Sequence, residues 1–255
     1  MPFDFDKTLV AALEARGVQF ERTGDGFYRV VRDGHVVQIN TENIRAEALR
    51  DDDPSAIGWF LDQALGGLPA LPPWSQARDW VFPMVDSVDV DLGPDTLSVD
   101  LSDRVRQVLV VHQPGSHTVR FVSEADLSTW GISAEEAWTT AHDALARIAA
   151  DTKVELLMRG DLVLGMVHAS KVHKASVIFA PSFRAQVPDA LGWPVMAVAP
   201  ARDFVYLLRK DDPEALGRLG AVVVREFRES GYPVSTEVWL LSDDGARAVG
   251  AYPVD

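Results

Sequence analysis

The sequence predicts a soluble α+β protein of two lobes, with mainly antiparallel sheets packed by helices. Short runs rich in Val, Tyr and Phe, punctuated by Gly or Asp-Gly, read as strands joined by tight turns. Capped amphipathic runs read as helices. The two kinds neither alternate strictly, as a doubly wound sheet demands, nor separate cleanly along the chain. No self-similarity at a period of about 20 to 50 residues suggests a solenoid.

Taken in order, Asp6 is placed to cap a first helix with Leu9, Val10 and Leu13 on one face, and Gly17 to end it. In "VQFERTGDGFYRVVRDGHVVQIN" the glycines at 24, 26 and 34 divide three strand-like runs, as a meander requires. Residues 41–67 read as helical, restarting at Asp53-Pro54 with Ile57, Phe60, Leu61 and Leu65 inward. Residues 68–83 hold four prolines and two tryptophans, so the linker between an N-terminal lobe (1–67) and a C-terminal lobe (84–255) is expected there.

Beyond it, "VRQVLVVHQPGSHTVRFVS" reads as two strands around Pro114-Gly115. Ser133 and Glu136 have the spacing of a capping box, opening a helix with Ala137, Trp138, Ala141, Leu145 and Ile148 on one side. Trp130 and Trp138 read as packing anchors. "VMAVAPARDFVYLLRKDD" predicts two strands joined by a tight turn at Arg202-Asp203. Asp212-Pro213 starts a helix with Leu216, Leu219, Val223 and Phe227 inward, and "VSTEVWLLSDDG" returns as a strand.

The chain has no cysteine, which removes disulfides, thiolate metal sites and cysteine nucleophiles. Its net charge is −14 and unevenly spread: residues 1–100 carry 8 Lys/Arg against 18 Asp/Glu. Such a surface repels nucleic-acid backbones and attracts basic proteins. The start of the chain is acidic and no run approaches the roughly 20 apolar residues of a membrane span, so a cytoplasmic location without membrane contact is expected.

No spacing announces a reaction. The G-x-S-x-G elbow, the P-loop and the G-x-G-x-x-G fingerprint are all missing. His112 and His117 flank the Pro114-Gly115 turn, and His168 and His173 lie near each other in sequence, but neither pair brings a third metal ligand with it. Asp89, Asp91, Asp95 and Asp100 fall at the first, third, seventh and twelfth places of a calcium loop. Gly93 and Pro94 break that loop at its fifth and sixth places, and Asp100 is short for the bidentate twelfth. From Asp79 to Asp103 there are seven aspartates and no Lys or Arg, which marks a footprint for a basic partner. Arg202 and Asp203 are a second candidate, since a tight turn presents polar side chains from a rigid scaffold; the plainer reading of the pair is that Arg202 pairs with a neighbouring acid and Asp203 bonds turn amides.

The order of "SHTVRFVSEADLSTWGISAEEAWTTAHDALARI", "ASVIFAPSFRAQV", "VMAVAPARDFVYLLRKDD" and "VVVREFRESGYPVSTEVWLLSDDG" resembles the YtpQ-like family of bacterial proteins, a family of unknown function. The features that carry the likeness are the helix start at Trp130, Gly131, Ile132 and Ser133, and the turn at Pro200, Ala201, Arg202 and Asp203. The resemblance implies an α+β fold in a bacterial cytoplasm and no reaction. Where the family pattern has an acid-rich "DGYDA" before "ASVIFAP", this chain has "SKVHKA", so no acidic site carries over.

The expectation is therefore a non-enzymatic binding or regulatory protein without cofactor or metal, whose partner-binding residues are Asp89, Asp91, Asp95, Arg202 and Asp203. Inhibition of a basic toxin, in the manner of an immunity protein, is one form of it. The alternative is a hydrolase or small-ligand enzyme with a site between the lobes.

Overall fold

The computed structural model describes residues 3–24, 26–32, 35–65, 71–90, 92, 95–114, 119–160, 162–170, 172–230 and 232–254. It shows an α+β fold in two compact units, residues 1–71 and 72–255.

In the first unit, helix α1 (Phe5–Ala15) is followed by strands β1 (Gln19–Gly24), β2 (Phe27–Arg32) and β3 (His35–Asn40), then helices α2 (Glu42–Asp51) and α3 (Ser55–Leu65). The strands form the expected antiparallel meander, in order β1-β2-β3. Asp4 caps α1, accepting from the Lys7 amide, whereas Asp6, expected to be the cap, lies in the first turn and pairs with Arg45 at 3.4 Å. Gly17 adopts φ +63° just past the helix, a conformation that an L side chain resists. Phe5, Leu9 and Leu13 of α1 bury against Tyr28 and Val30 of β2 and against Ile57 and Leu61 of α3. Arg16 fastens α1 to α3, since its guanidinium reaches Asp62 Oδ1 at 2.6 Å, Ala12 O at 2.8 Å and Gly58 O at 2.9 Å.

The second unit opens inside the stretch expected to be linker. Helix α4 (Trp74–Ala77) and the start of strand β4 (Val81–Ser87) occupy residues 74–83. Proline and tryptophan are there for packing: Trp130 Nε1 donates to Pro72 O at 2.8 Å, and the Trp74 and Trp130 rings lie 5.1 Å apart. Residues 66–70 lie outside the described residues. After β4 come β5 (Ser98–Asp100), β6 (Val105–Val111) and β7 (Arg120–Phe121), and the antiparallel order is β4-β6-β5, with β7 also on β6. Helix α5 (Glu124–Trp130) carries a full capping box, Ser123 with Asp126. Helix α6 (Ala134–Ala150) is capped by Ser133, but Glu136 does not reach back as expected and instead accepts from Trp74 Nε1 at 3.2 Å.

Strands β8 (Lys153–Arg159) and β9 (Leu162–His168) form a hairpin, and two short 3-10 turns, Val177–Phe179 and Pro181–Gln186, lead to β10 (Val195–Ala201) and β11 (Phe204–Arg209). Helix α7 (Pro213–Glu229), capped by Asp212, precedes β12 (Glu237–Ser242) and β13 (Gly245–Ala251). These six strands make one antiparallel sheet, β13-β12-β10-β11-β9-β8. Its residues alternate between faces as a twofold period requires. Val195, Ala197, Leu207 and Trp239 pack with Leu145 and Ala149 of α6 and with Phe183. Val198, Tyr206, Leu208 and Val238 pack under Leu219 and Val223 of α7. Tyr252 clamps the chain end onto α7: its hydroxyl donates to Leu216 O at 2.7 Å, and its ring leaves 3.0 Å for a Cβ at Gly220. Among the described residues, no helix is long and apolar enough to cross a membrane.

Candidate functional site

The acidic strip follows β4, the connection to β5, and the turn into β6. Asp79, Asp89, Asp95, Asp100 and Asp103 are exposed; Asp91, Gly93 and Pro94 lie outside the described residues. Val88, Asp100, Leu101, Ser102 and Asp103 line an open depression of about 570 Å³. Two bonds fix its floor. The Ser102 hydroxyl donates to Glu237 Oε2 at 2.7 Å and its oxygen accepts from the Val105 amide at 3.0 Å, so this turn is tied to the start of β12. Glu237 is buried and is held by hydroxyls, since Ser235 also donates to it at 3.3 Å. Nothing in the sequence pattern of β12 marks it.

Asp86 is the member of the strip that behaves differently. It is buried on β4, and Arg202 comes from the β10–β11 turn to pair with it, Nη2 to Oδ2 2.5 Å. Two features that look unrelated in the sequence thus meet. Arg202 pairs with an acid, as the plainer reading of the turn has it, and does not project outward as a partner-binding residue would: its side chain is 18 % exposed, its guanidinium lies 4.9 Å from the centre of the Tyr232 ring, and its carbonyl accepts from Ala175 N at 3.1 Å. The reason is charge. A carboxylate buried on β4 must be paired, and Arg202 is the cation that the fold delivers. Asp203, beside it in the turn, is half-buried.

Arg106 stands opposite Asp86 on one neighbouring strand and Asp100 on the other. Its guanidinium is taken up by backbone, through Nε to Ser87 O at 3.2 Å and through Nη2 to Val88 O and Val90 O. It is half-buried and holds the segment that carries Asp89. Arg104, at the end of the strip, is exposed.

Farther along the same sheet, His112 and His173 come together, a pairing that neither sequence spacing suggests. Their ring centres are 5.8 Å apart and edge-on, and His173 also packs 4.3 Å from Phe82. Ser170 Oγ is 2.6 Å from His173 Nδ1. Burial first, and the neighbouring His112 second, pushes the His173 imidazole down to about 4. Of the other pairings weighed in the sequence, His117 lies outside the described residues, and His168 is on β9, 2.9 Å from Glu155. Among the described residues, no group of three His, Asp or Glu side chains is arranged to hold a metal ion.

What this surface offers chemically is therefore fixed negative charge on a braced backbone, around a shallow polar depression. No family model, no curated protein and no solved structure matches this chain.

Proposed function

We propose that this protein is a non-enzymatic binder of a basic protein, using the strip of Asp79, Asp89, Asp91, Asp95, Asp100 and Asp103, in a bacterial cytoplasm. The observation that carries the reading is the exposure of Asp89, Asp95, Asp100 and Asp103 while Arg106 and Arg202 are spent on backbone carbonyls and on Asp86. A field of one sign on a rigid scaffold accelerates encounter with an oppositely charged partner and sets its orientation. Inhibition of a basic toxin or nuclease is one form of this activity. The resemblance to YtpQ-like proteins belongs to the same reading, since it implies no reaction.

The test compares the wild-type protein with a variant carrying Asp89→Asn, Asp95→Asn, Asp100→Asn and Asp103→Asn as bait in cell lysate at low and at moderate salt. A basic protein held by the wild type at low salt, released as salt rises and not held by the variant is the expected result. A wild type that retains nothing at low ionic strength sinks the proposal, as does a variant that retains the same partner. Calcium that raises the melting temperature of the wild type alone would make the strip a cation site.

A further inference from the structure

The six-stranded sheet ends at β8, which pairs with no strand on its outer side among the described residues. Among the described residues, backbone hydrogen bonds from 153–159 run only to β9. By contrast, the β4 edge of the other sheet is covered where the Val85 amide donates to Ser176 Oγ at 3.0 Å. Beside the β8 backbone, Leu157 is 46 % and Met158 69 % exposed, on opposite faces of the strand. An edge of this length with apolar side chains is a template for another strand. The strand's own charges indicate which one.

β8 and β9 are joined by two residues, with Gly160 at φ +61° and Arg159 opposite Leu162. The closing pair of such a hairpin is hydrogen-bonded, so the odd-numbered residues turn their amides toward β9 and Val154, Leu156 and Met158 turn theirs outward. A second copy pairing antiparallel must match outward groups with outward groups, which restricts the two-fold axis to a few positions. An axis at Glu155 sets that carboxylate against itself, and an axis at Leu156 sets Lys153 against Arg159. An axis at Val154 sets Lys153 opposite Glu155, but it carries the pairing back past Thr152 into the end of α6 and leaves most of the strand unmatched. An axis at Leu157 sets Glu155 opposite Arg159 twice, Leu156 opposite Met158 twice, and Leu157 against its own copy in the close, non-hydrogen-bonded position. His168 occupies Glu155 Oε2, which leaves the other carboxylate oxygen for a cation. The opposite edge, β13, has Arg247 as its one charge and a glycine at 245 and 250, and offers no such match.

We propose that two copies of this protein associate through antiparallel β8 strands about a two-fold axis at Leu157, joining their six-stranded sheets into one. The occupant of the edge is a second copy because this register alone combines opposite charges with pairing along most of the strand.

Sedimentation velocity on the full chain should show a dimer at micromolar concentration. Glu155→Lys should raise the dissociation constant about tenfold or more, because two attractive pairs become repulsive. Adding Arg159→Glu should restore it by exchanging the charges. The chain's lack of cysteine gives a second measurement: Leu157→Cys should oxidise to a covalent dimer at the axis, and Lys153→Cys should not. A wild type that stays monomeric overturns the proposal. So does a dimer indifferent to Glu155→Lys, or one that cross-links equally through both cysteine positions.

Discussion

Arg202 and Asp86, which meet at 2.5 Å with side chains 18 % and 2 % exposed, tie the turn between β10 and β11 to strand β4, and so join the two sheets of the second unit. The attraction between them offsets the cost of taking two charges out of water, and neither tolerates losing the other.

Arg202→Met should therefore cost about 3–5 kcal/mol in denaturant unfolding, because it strands the Asp86 carboxylate. Replacing both residues with Met should cost clearly less than the sum of the two single changes. Additive losses would mean that the two side chains act independently.

The helices, the N-terminal meander and strands β6, β7, β10, β11 and β12 were legible in this sequence, and strand β4 was not. Ser133 and Asp212 cap α6 and α7 where the spacing places them, and the inward Leu219 and Val223 are buried. These are local signals, read within one or two turns. β4 was hidden because its neighbours, Pro72, Pro73 and Trp74, look like linker; only the distant Trp130 and Glu136 bind Pro72 and Trp74 to the rest of the unit. Residues 175–191 showed no periodicity, since 3-10 turns bury Val177 and Phe183 without a regular stripe. The acidic strip was legible from composition. Its buried member was not, for Asp86 differs from Asp89 only in what the β10–β11 turn brings to it.

His173 should make stability depend on pH. Its imidazole is held neutral by burial and by His112, with its native value lowered to about 4 from the ordinary 6.5. Between those values the unfolded chain binds the proton and the native state does not. Stability is therefore full above about pH 6.5 and falls as pH drops toward 4, by at most about 3 kcal/mol from this residue. Unfolding free energies measured across that window should flatten in His173→Gln. An unchanged slope in the variant would assign the pH dependence to other groups.

Gly165 lies in β9 where the packing leaves no room for a side chain. A Cβ there would meet Leu191 Cδ1 at 2.7 Å, Leu207 Cβ at 3.0 Å and Val154 Cγ1 at 3.1 Å. Leu191 Cδ1 is the end of a side chain, but Leu207 is part of the buried core, so the packing on both sides of β9 must give to make space. Gly165→Ala should cost about 1–3 kcal/mol by thermal or denaturant unfolding, against the usual gain from replacing a strand glycine. A neutral or stabilising result would show that Leu191 moves aside freely.

Arg106 links the fold to the proposed activity, because one guanidinium gathers the carbonyls of Ser87, Val88 and Val90 and thereby shapes the backbone that carries Asp89. Lysine keeps the charge but offers a single ammonium where a planar fork spans three acceptors. In Arg106→Lys the amides of Val88 and Val90, which donate to Arg104 O at 3.0 Å and Ser87 O at 3.3 Å, should exchange with solvent faster, while those of β6 beyond Gln107 keep their protection. The long-range field is the same in both proteins. If the strip works through charge on a braced backbone, the variant should bind the basic partner with an unchanged association rate and a faster dissociation rate. Unaltered exchange at Val88 and Val90 would show that the turn stands without Arg106, and an unaltered dissociation rate would show that the brace does not shape the surface the partner meets.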